Sequence, residues 1–519
     1  MNQQLTRDYK GEMIWQKKTL DKLQFGDFQT PLDLAQQVVQ VLKKNHGIQP
    51  DTVIEPTCGK GTFVQAALEE FPNAKIIGFD INRCYVEEAL TLISERDRDR
   101  VSIQQADFFL VDWKKILMET KGNVLILGNP PWVTSSELSL INSNNLPEKN
   151  NFQKHRGIEA ITGSSNFDIS EWMLLSHVDW LSEKNGALAM LCKYSVARKI
   201  MRHIREKKAY NLFGHIYMID AKKYFSASVN ACLFVLTQEG KSADCEVYRD
   251  LSSFTPDYII GERDGYVIRD VNLYAKRRTL KGQDQRYIWR SGIKHDCSKV
   301  MELELTSKGF KNGLGDIVDI ELKYLYPLLK SSDVGNSRID SCKRYLIVTQ
   351  SYLGEYTSFR NSVAPKTWEY LDSYNKLLNG LKSSIYRGKP PYSIFGVGDY
   401  TFKPWKVAIS GFYKKLNFCL VGLINQKTVV FDDTVNFLSF DYRNEAEFVK
   451  ELLLSKPAME FYAANIFWDE KRPITTNILR RLSLKAVAQK LDREKEYQYF
   501  LAQKTVNHDI QLPLKFGKL

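Results

Sequence analysis

Short apolar runs alternate with helical patterns through the first half of the chain. Two sequences, GTFVQAALEE and CYVEEALTLI, predict helices between the first strands. This alternation of strand and helix predicts a parallel sheet with helices on both faces. We therefore expect an α/β fold whose sheet has seven strands and is mostly parallel. The predicted strands are TVIE (52–55), KIIGF (75–79), VSIQ (101–104), NVLIL (123–127), ALAML (187–191), HIYMI (215–219) and ACLFVL (231–236).

The regions around these strands carry three further expectations. Residues 1–24 predict a mostly helical preface. Thr30 and Pro31 predict the start of the next helix, with Thr30 as the N-cap and Pro31 at the first helical position. The polar, turn-rich segment 142–151 predicts a loop.

Charge and pattern both divide the chain near residue 240. Beyond that point irregular strand and loop patterns replace the alternation and end in helices around 445–500. The net charge is +12, of which about +1 falls in residues 1–240 and about +11 in residues 241–519. A nearly neutral domain followed by a basic, mixed α+β domain favours a catalytic domain joined to a polyanion-binding domain.

Composition excludes several other classes of protein. The 519 residues are 43% hydrophobic and 26% charged, as in soluble globular proteins. No apolar run approaches the roughly 18 residues that a membrane span needs. The eight cysteines include no CxxC pair, which argues against a zinc site and a disulfide framework. We expect a cytoplasmic protein without a metal or a membrane association.

The turn after the first predicted strand favours a nucleoside ligand. Glu55 to Phe63 reads EPTCGKGTF, where Gly59 and Gly61 permit a sharp turn and a close approach of a ligand. The third glycine of the dinucleotide fingerprint is missing. Asp80 ends the second strand and can accept both hydroxyls of a ribose, and Asp107 follows the third strand, where it can accept from an adenine amino group. A nucleoside with an amino-acid tail suits this set.

Gly128-Asn129-Pro130-Pro131-Trp132 follows the fourth predicted strand. The two prolines fix two φ angles and remove two backbone donors, so the turn is stiff and presents acceptors. The side-chain oxygen of Asn129 and the carbonyl of Pro130 could both accept from one NH₂ group, leaving the nitrogen lone pair free to attack. Trp132 offers a flat face on which a base can stack.

These segments together resemble the ordered motifs of the gamma-class DNA adenine-N6 methyltransferases. The resemblance spans roughly residues 20–240 and implies a class I methyltransferase domain with a Rossmann-like sheet over 1–240, and a DNA target-recognition domain over 241–519. It also implies S-adenosyl-L-methionine as the cofactor. The segments that carry it are FGDFQTP (25–31), EPTCGKGTFV (55–64), GFDIN (78–82), ADFF (106–109) and NPPW (129–132).

The resemblance implies a role for each matched position in the cofactor site. Thr30 and Glu55 would hold the methionine end of S-adenosylmethionine, and Asp80 would bind the ribose hydroxyls. Asp107 would accept from the adenine amino group, and Phe108 would flank the adenine ring. The cofactor-binding residues implied are Thr30, Glu55, Thr57, Gly59, Gly61, Asp80, Ile81, Asp107 and Phe108.

The resemblance also implies how a target base would be held. Asn129 and Pro130 would grip the amino group of an adenine that is flipped out of the duplex, with Trp132 stacked on the base. Phe225, in the segment 223–231, would pack on the other face. Trp132 departs from the Tyr or Phe that is commonest in this family, which puts the stacking geometry in doubt and leaves the chemistry unchanged.

The basic second domain is expected to contact double-stranded DNA. The resemblance further suggests a cognate restriction endonuclease acting on the same site, and we expect a monomer. Candidate DNA contacts are Lys276, Arg277, Arg278, Arg387, Lys389 and Tyr392.

Several alternatives stay open on the sequence alone. The acceptor could be another NH₂ group, on cytosine N4, RNA adenine or a protein glutamine. The chain could also be a non-catalytic DNA-binding subunit with a methyltransferase fold. The segment 256–264 faintly resembles a nuclease motif, but Asp264 stands where that motif has Lys.

Overall fold

The computed structural model describes residues 28–133, 168–208, 211–238, 242–357, 360–380 and 384–509. The chain divides into two compact units, Met1–Val267 and Ile268–Leu519. The helical preface predicted over 1–24 and the loop predicted over 142–151 lie outside the described residues.

The first unit is built on a ten-stranded sheet. Its strand order is β10-β9-β8-β6-β7-β5-β4-β1-β2-β3. Strands β3, β2, β1, β4 and β5 run parallel, whereas β7 is antiparallel to both β5 and β6. The strands are β1 Thr52–Glu55, β2 Lys75–Asp80, β3 Val101–Gln105, β4 Val124–Gly128, β5 Gly186–Lys193, β6 Phe213–Ile219, β7 Ala231–Thr237, β8 Cys245–Tyr248, β9 Tyr258–Arg263 and β10 Tyr266–Ile268.

All seven predicted strands are present, so the predicted α/β fold is confirmed. Three further strands, β8 to β10, continue the sheet beyond β6. They place the unit boundary after Val267 rather than at the predicted residue 240. The weak nuclease resemblance falls on β9 and the tight turn after it, where Asp264 has a φ of +55°.

Helices cover the sheet and bury its apolar faces. The described helices of the first unit are α1 Leu32–His46, α2 Thr62–Glu70, α3 Arg83–Thr91, α4 Trp113–Glu119, α5 Ile169–Glu183, α6 Tyr194–Glu206 and α7 Ala221–Phe225. One core cluster joins α1, α2 and one face of the sheet through residues such as Leu34, Phe63 and Leu125.

The predicted cap of α1 is wrong by one residue. Pro31 occupies the N-cap position with a φ of −62° and a ψ of 144°, and no side chain caps the helix. The Thr30 hydroxyl instead accepts a hydrogen bond from the Asn129 amide. This tertiary contact replaces the local capping bond that the sequence suggested.

The second unit is a mixed α+β domain, as predicted. A four-stranded sheet has the order β11-β20-β17-β18, and a six-stranded sheet has the order β14-β13-β12-β16-β15-β19. The strands are Arg290–Ser291, Glu302–Thr306, Gly309–Asn312, Ile317–Val318, Leu325–Leu329, Arg344–Ile347, Trp405–Ser410, Cys419–Val421, Val430–Phe431 and Val435–Phe440, numbered β11 to β20. The helices are Val271–Arg277, Ser298–Met301, Ser331–Gly335, Arg360–Val363, Pro365–Ser373, Asn375–Asn379, Arg443–Leu454, Lys456–Asn465, Thr476–Leu479, Leu484–Lys490 and Glu494–Asp509.

Among the described residues, every helix is too short or too polar to cross a membrane.

Candidate active site

One pocket opens where strands β1 to β4 end. Because parallel strands bring their carboxyl ends to the same sheet edge, the residues that follow these strands meet there. The pocket encloses about 1040 Å³ of empty space, including its mouth. Its lining includes these predicted site residues: Thr30, Glu55, Thr57, Gly59, Asp80, Ile81, Asp107, Phe108 and Asn129.

Glu55 gives the pocket a buried carboxylate with one oxygen that lacks a hydrogen-bond partner in the described part of the chain. Its side chain is 2% exposed, and Oε2 makes no hydrogen bond to any described residue. Burial raises the pKa of this carboxyl well above its usual range, the charge of Asp80 raises it further, and a bond from the Val64 backbone opposes both. A buried carboxylate with a free oxygen is stabilised by a cation, such as the ammonium group of an amino-acid tail.

Asp80 is oriented by backbone groups on both sides. The Gly59 N–H donates to Oδ2 at 2.8 Å, and the Asn82 N–H donates to Oδ1 at 2.8 Å. Gly59 has a φ of +51°, in the left-handed region that favours glycine, so its N–H can turn toward Asp80. These two bonds fix the orientation of the Asp80 carboxylate where it lines the pocket.

Gly61 does not line the pocket. It has a φ of +83°, and a Cβ there would lie 2.8 Å from the Ala89 Cβ on α3. The glycine therefore lets α3 approach the start of α2, and its contribution to the cofactor turn is structural.

Asp107, Phe108 and Ile81 form the other end of the pocket. The Phe109 N–H donates to Asp107 Oδ1 at 2.9 Å, which fixes the carboxylate. Phe108 is buried against Trp113, with ring centroids 5.1 Å apart. Ile81 is 38% exposed although it is a large apolar residue. An exposed apolar side chain and a held carboxylate in the same pocket suit a planar heterocycle with an amino group.

The amide of Asn129 is held by its nitrogen and open at its oxygen. Nδ2 donates to the Phe28 carbonyl at 2.9 Å and to Thr30 Oγ1 at 3.2 Å. Oδ1 is buried and has no hydrogen-bond partner among the described residues. Two acceptors on the nitrogen side fix the amide orientation, and they leave the oxygen as a buried acceptor in a residue that lines the pocket.

The two predicted stacking aromatics contact each other. The rings of Trp132 and Phe225 are 5.0 Å apart at 69°, and the Trp132 indole N–H donates to the Leu191 carbonyl at 3.3 Å. Phe28 completes the cluster. Trp132 and Phe225 are 4% and 6% exposed, so no space for a base separates them here. Pro131 lines the pocket, whereas Pro130 does not.

Lys193, the last residue of β5, contacts both the end of the turn at 129–132 and the residue that caps α5. Its Nζ lies 3.1 Å from the Trp132 carbonyl oxygen and 2.6 Å from Asp168 Oδ2. Asp168 is buried and caps α5, and the N–H of Ile169 donates to the Val133 carbonyl at 2.9 Å. Local sequence patterns do not reveal this arrangement, because Lys193 stands 61 residues from Trp132.

Other pocket residues were also missed. Phe28 and Gln29 belong to FGDFQTP (25–31), one of the segments that carry the family resemblance, so the sequence does contain a signal for both residues. Ile169 and Met173 face the pocket from α5, and their spacing of four residues on an apolar helix carries no functional signal.

The candidate DNA contacts in the second unit differ in their surroundings. Lys276, Arg278, Arg387 and Lys389 are exposed. Arg277 pairs with Glu460 at 2.6 Å. The expectation for Tyr392 is wrong, because its ring is 9% exposed against Trp368 and its hydroxyl donates to Asp372 at 3.1 Å.

The described residues contain no group of three or more His, Cys, Asp or Glu side chains that could hold a metal ion.

The sheet and the pocket at its carboxyl edge define a class I methyltransferase. A family model described as "Methyltransferase domain" matches residues 49–129. Type II methyltransferase M.NspV of Nostoc sp. is 46% identical over 470 residues, covering 90% of this chain and 98% of that relative. The chain therefore belongs to the type II methyltransferases, the DNA-modifying enzymes of restriction-modification systems, and its cofactor is S-adenosylmethionine.

Other similarities are more distant. The modification methylase CviBIII of Paramecium bursaria Chlorella virus NC1A is 27% identical over 131 residues, covering 25% of this chain and 31% of that relative. The structure of the type IIL restriction-modification enzyme MmeI in complex with DNA shares a TM-score of 0.48 at 11% identity, covering 86% of this chain and 64% of that chain.

Proposed function

We propose that this enzyme transfers the methyl group of S-adenosylmethionine to the N6 amino group of an adenine in double-stranded DNA. The observation that carries the proposal is the Asn129 amide. Its nitrogen donates to Phe28 and Thr30, while its buried oxygen has no hydrogen-bond partner within the described ranges of the chain. An acceptor in this state suits the NH₂ group of a base.

We propose one orientation of the cofactor in the pocket, with its methionine part at Glu55 and its adenine at Asp107. Glu55 would accept from the ammonium of the methionine part, and Asp80 would accept from the ribose hydroxyls. Asp107 would accept from the adenine amino group, with Ile81 and Phe108 against the ring. When bound, the cofactor supplies an electrophilic methyl group on a sulfonium. The unpartnered Glu55 Oε2 is the structural feature that supports this orientation.

Asn129 and Pro130 would prepare the target nitrogen. The Asn129 Oδ1 and the Pro130 carbonyl would accept its two hydrogens, which localises the lone pair on nitrogen. The nitrogen held in this way would accept the methyl group that the sulfonium supplies, and it would lose one proton to solvent. The protein contributes positioning and electrostatics to this step.

The target base must leave the duplex to reach the pocket. We propose that Trp132 and Phe225, now in contact, separate and hold the base between them. The opposing indole and phenyl rings would stack on both faces of a planar heterocycle.

Double-stranded DNA is the proposed partner of the second unit. With the boundary after Val267, the formal charge is about −2 in the first unit and about +14 in the second. The difference in charge between the two units is larger with this boundary than with the predicted boundary at residue 240. It favours phosphate contacts by the second unit. We also propose that the enzyme acts as a cytoplasmic monomer, and that an endonuclease cuts the same site when it is unmethylated.

Methyl transfer to different acceptors tests the proposal. The wild-type protein and Asn129→Ala would be incubated with tritiated S-adenosylmethionine and unmethylated duplex DNA, RNA or protein. Asn73→Ala, at an exposed turn residue, is the matched control. We expect label in DNA with the wild type and the control, and almost none with Asn129→Ala. Label only in RNA or protein, or no label from a protein that still binds the cofactor, would contradict the proposal.

A further inference from the structure

A loop of the second unit presents three apolar side chains to solvent. Tyr352, Leu353 and Tyr356, within residues 350–357, are 59%, 57% and 78% exposed. Single exposed apolar residues are ordinary on protein surfaces, but three within five positions form a patch that indicates a contact. We call residues 350–357 the aromatic loop.

The backbone of the aromatic loop forms a tight turn. The Glu355 N–H donates to the Tyr352 carbonyl at 3.2 Å, and Gly354 has a φ of +82°, as position i+2 of a type II turn requires. Glu355 Oε2 accepts from the Ser351 N–H at 2.5 Å and from Ser351 Oγ at 2.7 Å. The carboxylate of the loop is thus bound to its own backbone.

Buried polar side chains anchor both ends of the loop. Gln350 and Thr357 are each 1% exposed. Gln350 Oε1 accepts from the Ile394 N–H at 2.9 Å, and Gln350 Nε2 donates to the Glu355 carbonyl at 2.6 Å. Thr357 Oγ1 donates to the Pro391 carbonyl at 2.6 Å. Because the loop is already ordered, a contact at its tip loses little conformational entropy on binding.

The segment that anchors the loop also carries free positive charge. Arg387 and Lys389 precede Pro391, and both are exposed without an ion pair to any described residue. A loop that exposes two rings and an aliphatic side chain, and that is bonded to the segment carrying these cations, matches a polyanion that also has stackable faces. Nucleic acid has this combination, since its phosphates flank the planar bases.

We propose that the aromatic loop inserts Tyr352, Leu353 and Tyr356 against the bases of double-stranded DNA, while Arg387 and Lys389 contact the flanking phosphates. This inference rests on the proposed function, since it takes the enzyme's DNA substrate as the partner. The apolar contacts would support a distorted duplex from which the target base has been removed.

Binding measured against salt separates the two kinds of contact. The full chain would be titrated against a fluorescent duplex carrying the site that the wild-type enzyme methylates, at several NaCl concentrations. Tyr352→Ala/Tyr356→Ala should raise Kd at least about tenfold. The slope of log Kd against log salt should stay unchanged, because no charge is removed. Arg387→Ala/Lys389→Ala should reduce that slope by about 2.

A matched control and a second readout keep the test decisive. Tyr442→Ala/Leu454→Ala removes side chains that are 49% and 42% exposed at the Arg443–Leu454 helix, and should leave Kd within about twofold. Unchanged DNA binding by Tyr352→Ala/Tyr356→Ala would overturn the proposal, as would a change only in self-association, measured by light scattering. A wild type that binds the cofactor but neither binds nor methylates DNA would overturn the proposed function instead.

Discussion

Asn129 Nδ2 lies 3.2 Å from Thr30 Oγ1, across 99 residues of sequence. Thr30, which precedes the N-cap of α1, and Asn129, the residue after β4, are therefore linked at the pocket. The predicted role of Thr30 concerns the cofactor and that of Asn129 concerns the target base. Their hydrogen bond couples the two halves of the site, because a shift of Thr30 would reorient the amide.

Thr30→Val removes this acceptor and keeps the side-chain volume. The Asn129 amide would retain only the Phe28 carbonyl, so its oxygen would be less well fixed. We expect kcat to fall about tenfold, because the loss of one hydrogen bond costs about 1 kcal/mol of the energy that holds the amide in place. Thr62→Val, at another threonine lining the pocket, is the control and should retain more activity. Equal losses in both variants would show that the Thr30 bond does not orient Asn129.

Glu55 makes cofactor binding depend on pH. Burial raises the pKa of its carboxyl, so the free protein retains this proton above the usual pKa range. Binding of an ammonium favours the carboxylate and should release the proton. Cofactor affinity should therefore rise with pH until Glu55 ionises in the free protein.

Calorimetry in buffers of different ionisation enthalpy measures the released proton. Glu55→Gln should bind the cofactor more weakly and release no proton on binding, and its affinity for the cofactor should not depend on pH in this range. The raised pKa also means that the free protein loses stability as pH rises above the usual range of the carboxyl. Glu55→Gln should remove that loss. Proton uptake on binding, or an unchanged pH profile in the variant, would contradict this role.

Lys193 should affect kcat by holding the turn at 129–132, because it contacts the Trp132 carbonyl. Lys193→Met frees the Trp132 carbonyl and leaves Asp168 buried without its cation, which costs stability. We expect kcat to fall about tenfold while the cofactor Kd changes little. Lys193→Arg should restore part of the rate. Lys199→Met is the control, because Lys199 pairs with buried Glu171 at 2.5 Å outside the turn. A kcat loss as large in Lys199→Met would indicate general destabilisation.

Trp132 should tolerate another aromatic residue and not alanine. Trp132→Tyr keeps a ring against Phe225 and matches the commoner residue of the gamma-class motif, so activity should stay within about tenfold of wild type. Trp132→Ala removes a buried ring, and such changes cost about 3–5 kcal/mol of folding stability. Melting temperature and kcat should be measured together. A stable, fully active Trp132→Ala would exclude a stacking role.

The sequence predicted the strands that bear the site because each is a short apolar run bounded by turn residues. TVIE has the same bounds in the structure, Thr52–Glu55. Strands β8 to β10 were missed because sequences such as CEVY mix polar and apolar residues after the alternation has ended. Local patterns do not reveal strands whose pairing depends on a sheet edge supplied by distant residues.

The site residues also divide into those that local sequence patterns predict and those that depend on distant residues. The positions of Asp80 and Asn129 were predictable because Asp80 ends β2 and Asn129 directly follows β4, and both strands belong to the parallel part of the sheet. The contact between Trp132 and Phe225 and the Lys193–Asp168 pair were not, since they depend on side chains from separate elements. At Thr30 a contact with a distant residue replaces a local one. Its sequence context predicts a helix cap, but its Oγ1 accepts from the Asn129 amide instead.

The central claim concerns one atom of one base. The most direct measurement is mass spectrometry of the nucleosides released from DNA that the wild-type enzyme and Asn129→Ala have treated with S-adenosylmethionine. We expect N6-methyladenine from the wild type and almost none from the variant. N4-methylcytosine would contradict the assignment to adenine, and N6-methyladenine formed equally by Asn129→Ala would contradict the role given to Asn129.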